Sequence, residues 1–139
     1  MIRDLLGVLL LLFGLSGLWG WSPNLIDGIT ETPAPFQSDA LSVLVVEDVS
    51  QRTVLDRGHL NLILGVPLRE WCNENGVELK VWDDDVDASR ADPKWTVGLN
   101  AARDSVPWLY VSDHGERGFS GPLPKSWDET RAILEGFVQ

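Results

Sequence analysis

The chain holds one cysteine, Cys72, in 139 residues. That single thiol excludes an intrachain disulfide, a CxxC redox pair and every zinc site built from several cysteines. Basic residues are also scarce, with 11 Lys and Arg against 21 Asp and Glu for a net charge of -10. No basic run interrupts that excess, so nucleic-acid binding is not expected, because affinity for a phosphate backbone rests on clustered cations. The two histidines, His59 and His114, lack metal spacings such as HxxxH or HExxH. Neither a GxSxG elbow nor a glycine-rich phosphate loop occurs, which leaves hydrolase and nucleotide chemistry without support and no cofactor expected.

What is present begins with a long uncharged stretch. Residues 5–26 carry no charge and follow Arg3 and Asp4. As a helix that stretch would reach about 33 Å, close to the thickness of the hydrocarbon layer, although its strongly apolar part stops near Trp21. Residues 1–21 are therefore expected to be a transmembrane anchor or signal segment that meets the membrane through residues 5–21, with Trp19 and Trp21 at the interface. A cleaved signal peptide competes, since residues 5–15 have the right length and Gly14 and Ser16 are small. A buried helix of the domain is the third reading. Arg3 lies before the span, whereas Asp27, Glu31 and Asp39 follow it with no Lys or Arg until Arg52. That asymmetry favours a membrane-anchored protein with its domain extracytoplasmic, or a secreted or periplasmic one after cleavage. Residues 22–39, with Pro23, Pro33 and Pro35, have the composition of a linker.

The remaining residues, 40–139, have a globular pattern. Residues 41–46 (LSVLVV) suit a central strand covered on both faces. Leu60, Ile63, Leu64, Leu68, Trp71 and Cys72 follow at helical spacing, with Pro67 starting or kinking a helix that ends at Gly76. Residues 77–82 alternate as in a strand near a sheet edge. Asp92 before Pro93 is a helix start, and Trp95, Leu99 and Ala102 fall on one side of that helix. A third strand at 108–111, a turn at Asp113, His114 and Gly115, and a short strand at 118–120 read as a hairpin. The last helix opens with Ser126 and Glu129 as a capping box and repeats Trp127, Thr130, Ile133, Leu134 and Phe137 on one face.

This order, β-α-β-α-β-β-α, resembles the thioredoxin fold over about a hundred residues. Ser105-Val106-Pro107-Trp108-Leu109-Tyr110-Val111 is similar to that family's strand beginning with a cis-proline. His114-Gly115-Glu116 resembles its hairpin turn, and Gly121 the glycine before its last helix. The resemblance implies an α/β domain with a four-stranded mixed sheet flanked by helices. It also implies that the backbone just before the proline, here Val106, pairs with an extended peptide, with Pro107 and Trp108 beside it. The family's redox pair lies just after its first central strand, where a helix N-terminus lowers a thiol pKa. Here that stretch reads Glu47-Asp48-Val49-Ser50-Gln51-Arg52-Thr53. Dithiol exchange needs one sulfur to attack and one to resolve, so the resemblance does not carry the oxidoreductase activity.

The expected function is thus a membrane-tethered, redox-inactive binding module for a protein or peptide. Cys72 reads as a buried structural residue near a helix C-terminus, with a single-cysteine thiol enzyme as the alternative. The run Asp83-Asp84-Asp85-Val86-Asp87 places carboxylates at positions 1, 3 and 5 of a calcium loop, but Ala88 replaces the glycine and Lys94 the bidentate glutamate. An EF-hand is rejected; a weak cation site using Asp83, Asp85 and Asp87 stays open beside a plain solvated loop. Of the seven tryptophans, Trp71, Trp95 and Trp127 sit on apolar helix stripes, Trp82 is left unassigned, and Trp108 has either the core or the floor of a groove open to it.

Overall fold

A computed structural model describes residues 32–138 of the chain. The anchor or signal segment and the linker up to residue 31 lie outside the described residues. Among the described residues no helix is long and apolar enough to cross a membrane.

The domain is α/β, built on a mixed sheet of five strands where four were expected. Its strands are β1 (Thr32–Pro33), β2 (Leu41–Glu47), β3 (Glu78–Asp83), β4 (Trp108–Asp113) and β5 (Arg117–Pro122), in the spatial order β1-β5-β4-β2-β3. β2 runs parallel to β3 and antiparallel to β4, and β4 and β5 form the hairpin. The fifth strand comes from the expected linker: Thr32 and Pro33 pair antiparallel with Gly118 and Arg117. Further along, Phe36 is buried and its carbonyl accepts the Ser112 hydroxyl at 2.6 Å. Residues 32–39 therefore belong to the domain, whatever their proline content suggests about tethers.

The helices are α1 (Arg57–Leu64), α2 (Pro67–Glu74), α3 (Pro93–Leu99) and α4 (Trp127–Glu135), with a 3-10 segment at Val49–Val54. Their ends follow from local chemistry. Asp56 and Asp92 accept the backbone N–H two residues on, at 2.8 and 3.1 Å, and Ser126 accepts that of Glu129 at 3.1 Å. Each side chain satisfies a donor that has no partner within its helix. The stripe at 57–74 divides into two helices, since Gly65 closes α1 by donating to Asn61 O and Pro67 opens α2. α2 gives way at Gly76, whose φ of 66° a residue with a Cβ rarely adopts. α3 ends at Leu99, so Ala102 falls beyond it and is exposed.

All seven residues of β2 are buried, and the period of two divides them between two cores. Val43 and Val45 face α1, α2 and α4 with Leu62, Ile63, Leu68, Trp71 and Leu134. Leu44 and Val46 face α3 and Phe36, with Trp95, Leu99 and Tyr110. Burying each of these β2 side chains contributes about 1.5–3 kcal/mol, enough to fix the register against a one-residue slip. In the hairpin, Asp113 pairs with Arg117 across a three-residue loop in which His114 and Gly115 take φ of 55° and 73° and Glu116 N donates to Asp113 O at 3.0 Å.

Candidate functional site

Because β4 runs against β2 and β3, the start of β4 lies at the sheet end where the parallel strands finish. Register makes this concrete: Val46 pairs with Trp108, and Glu47 pairs with Asp83. Three stretches of chain meet there, namely residues 47–54, 82–88 and 106–108. Open α/β sheets commonly place ligands at this end of their parallel strands.

Val106 is half-buried and leads into Pro107 through a cis peptide bond. Among the described residues no hydrogen bond takes up the N–H or C=O of Val106. Pro107 is buried, and its carbonyl accepts Leu123 N at 3.0 Å. Trp108 belongs to the core: it is 8% exposed and its indole N–H donates to Ser120 Oγ at 2.9 Å. Of the three residues expected at a groove, Val106 alone offers unused backbone polar groups and some accessible surface. Trp71 and Trp95 are buried, while Trp82 and Trp127 are partly buried against the two cores.

The end of β2 carries an ion pair that the sequence did not signal. Glu47 is 2% exposed, and Arg52 reaches back to it with Nε 2.9 Å from Oε1 and Nη2 2.5 Å from Oε2. The hydrogen bond to Glu47 raises the pKa of the Arg52 guanidinium further. The pair joins the end of β2 to the 3-10 segment, none of whose residues is buried.

The acidic run divides differently from a calcium loop. Asp83 converges with Asp48 and Asp84, their nearest carboxylate oxygens within 4.8 Å of one another, whereas Asp85 and Asp87 are exposed and stand outside that group. A turn causes the difference: Val86 N donates to Asp83 O at 3.0 Å, and Asp84 N donates to Glu47 O at 2.7 Å. The backbone N–H of Asp85 and that of Ser89 then hold the Asp83 and Asp87 carboxylates below their ordinary range. Asp84 moves the other way, because burial, a hydrogen bond with the Asp83 carboxylate and the charges of Asp85, Asp48 and Asp83 push its carboxyl up. Its Oδ1 is buried and has no hydrogen-bond partner among the described residues. Three carboxylates are the right donors for a hard cation, though such an ion takes six to eight oxygens.

Cys72 lies near the end of α2, 2% exposed in the core beneath the sheet, and burial pushes its thiol up to about 12. His59 is tied down, with Nε2 2.8 Å from Leu123 O, an arrangement that requires the proton on that nitrogen. His114 is an exposed turn residue 2.6 Å from Asp113. Burial opposes the charge on Asp113, but His114 and Arg117 together outweigh it and hold the carboxylate low.

A separate cleft of about 570 Å³ opens between residues 34–39 and the start of α3, lined by Phe36, Gln37, Asp92, Lys94 and Val97 among others. Lys94 there bonds Glu78 on β3 and lies 4.9 Å from the Trp95 ring centroid.

No protein-family model matches the chain, and no curated protein matches it in sequence.

Proposed function

We propose that the chain is a membrane-tethered, thioredoxin-like domain without dithiol activity that binds an extended protein or peptide segment along the Val106 backbone. The observation that carries this reading is the unused N–H and C=O pair of Val106, held just before Pro107 at the end of β2 and β3. A peptide running past that point gains two main-chain hydrogen bonds without any side-chain chemistry. The parallel β2-β3 pair and closing β4-β5 hairpin support the thioredoxin-like reading. The tether rests on residues 5–21 and the charge asymmetry around them.

The lack of redox activity rests on two observations. Where a dithiol would sit, residues 47–53 supply the Glu47–Arg52 ion pair. The one thiol is buried with a pKa of about 12, which weighs against the single-cysteine enzyme, since the thiolate is the nucleophile.

A photo-crosslinking residue at position 106 of the full chain, irradiated in its native membrane, tests the groove. Adducts to a discrete partner are expected from position 106 and not from position 64, where Leu64 is 56% exposed on another part of the domain. Equal labelling from both positions, or none from 106, refutes the proposal. A second reading, a weak cation module, is favoured by the unpartnered Asp84 Oδ1 beside Asp48 and Asp83. It requires millimolar calcium to raise the melting temperature and chelator to reverse the rise.

A further inference from the structure

β3 closes one side of the sheet, and no strand pairs with its outer edge among the described residues. Asp84 N donates inward to Glu47 O. In a parallel ladder alternate residues address the same neighbour, so Trp82 and Lys80 also turn their backbone groups to β2. The N–H and C=O of Leu79 and Val81 are left pointing out. Both side chains are partly buried and pack against the core with α2, so the edge is held in place and not frayed. At its C-terminal end stand Asp83, Asp84, Asp85 and Asp87, in a chain whose net charge is -10.

From these features we propose that the outer edge of β3 is a second binding surface, distinct from Val106, which takes an extended segment as an added antiparallel strand. The segment is apolar where it passes Leu79 and Val81, and its N-terminal end is basic where it meets the acidic turn. Backbone pairing supplies adhesion, and the carboxylates supply direction and a preference for cations. Self-pairing of two copies competes for the edge, and the net charge of -10 opposes it. In a two-fold antiparallel pair, opposed residues share a face, so the axis passes through a residue. Through Lys80 it sets Lys80 against Lys80, and through Val81 it sets Leu79 against Asp83; only the axis through Leu79, which sets Glu78 against Lys80, matches side chains. Like charges directly opposite are destabilising, and every register brings two acidic chains together.

Amide hydrogen exchange on the full chain tests the proposal, with two capped seven-residue probes: Arg-Arg followed by alternating Val and Thr, and the same peptide beginning Glu-Glu. Without peptide, the Leu79 and Val81 amides exchange fast and those of Lys80 and Trp82 slowly. The Arg-Arg probe slows Leu79 and Val81 at least tenfold and leaves Lys80 and Trp82 unchanged, while the Glu-Glu probe needs at least ten times the concentration. V81P removes an outward N–H, a change an edge strand tolerates, and abolishes the effect. If V81P fails to fold, D85N/D87N, on the exposed turn, takes its place and narrows the preference between the probes. Any of four results overturns the proposal: no protection at millimolar Arg-Arg probe, equal binding of the two probes, undiminished binding by V81P, or concentration-dependent protection without peptide, which would make the occupant a second copy. None of these readouts involves position 106, so failure here and failure of the Val106 groove are separable.

Discussion

Replacing Arg52 by alanine strands a carboxylate. Glu47 is 2% exposed and takes both of its side-chain hydrogen bonds from Arg52, whose own side chain is 36% exposed. Removing one member of a buried ion pair costs about 3–5 kcal/mol, because the other charge stays desolvated. Water can enter part of the space Arg52 vacates, which places R52A near the lower end, about 3 kcal/mol. E47Q has a different consequence. It leaves a guanidinium that already reaches solvent and keeps one oxygen to accept from it, so the loss is that of a single strong hydrogen bond, about 1 kcal/mol. The double variant R52A/E47Q buries a neutral amide in place of a naked charge, at about 1–2 kcal/mol for its unmet hydrogen bonds.

The expected order of stability is therefore wild type, E47Q, R52A/E47Q and then R52A, with the double variant above one of its parents. Urea unfolding at pH 7 measures this through the midpoint and slope, and the four proteins make a double-mutant cycle. At about 4–8 °C per kcal/mol for a domain of this size, R52A melts roughly 12–24 °C lower. The slope m should stay constant, since the surface exposed on unfolding is nearly the same. R52A within 1 kcal/mol of wild type, or a double variant less stable than R52A, refutes the account of Glu47 as a charge held by one partner.

The other predictions concern separate parts of the domain. With its thiol pushed up to about 12, Cys72 is about 10⁻⁴ thiolate at pH 8 and resists iodoacetamide until the fold opens; rapid labelling of the native protein refutes its burial in the core. G98A is destabilising by up to about 2 kcal/mol, since a Cβ would lie 2.7 Å from Leu44 Cδ2 and 3.1 Å from Phe36 Cδ2. Both neighbours are buried, and overpacking at about 1–3 kcal/mol exceeds the gain of roughly 1 kcal/mol in helix propensity; thermal melts decide the sign. D84N is stabilising at neutral pH. The Asp84 carboxyl has a folded pKa above its unfolded value, so stability falls as pH rises through that interval and the neutral amide escapes the loss. The gain of D84N disappears below about pH 3.9, where the unfolded aspartate is also protonated, and a gain that persists in acid refutes the electrostatic explanation. Asp113 titrates in the opposite sense: its pKa is lowered, so its contribution is full above the ordinary carboxylate range, is lost as acid takes it through the folded value, and is missing at neutral pH in D113N.

The parts of this fold that are legible in the sequence are those decided within a few residues. A run such as LSVLVV can be satisfied only by cover on both faces, and β2 receives it. Asp92 before Pro93, and Ser126 three before Glu129, set helix starts through bonds that span two or three residues. β1 has no such signal. Thr32 and Pro33 carry no strand pattern, and their pairing with Gly118 and Arg117 is set by contacts more than eighty residues away. Glu47 is illegible for a related reason, because its partner Arg52 lies five residues on, a spacing that matches neither the helical nor the strand period. The acidic run misleads when read linearly. Spacing at 83, 85 and 87 suggests three converging carboxylates only if the chain keeps one curvature, and the bond from Asp84 N to Glu47 O reverses it. Asp84 thereby joins Asp48 and Asp83, and Asp85 and Asp87 are left to the solvent. The sheet end at Val106 follows the same logic. Residues 47–54, 82–88 and 106–108 are each recognisable as loop-and-strand boundaries, yet their meeting depends on β2 pairing with β3 on one side and β4 on the other. A change that slipped either register by one residue would turn β2's two faces over and separate these stretches, while every local motif stayed intact.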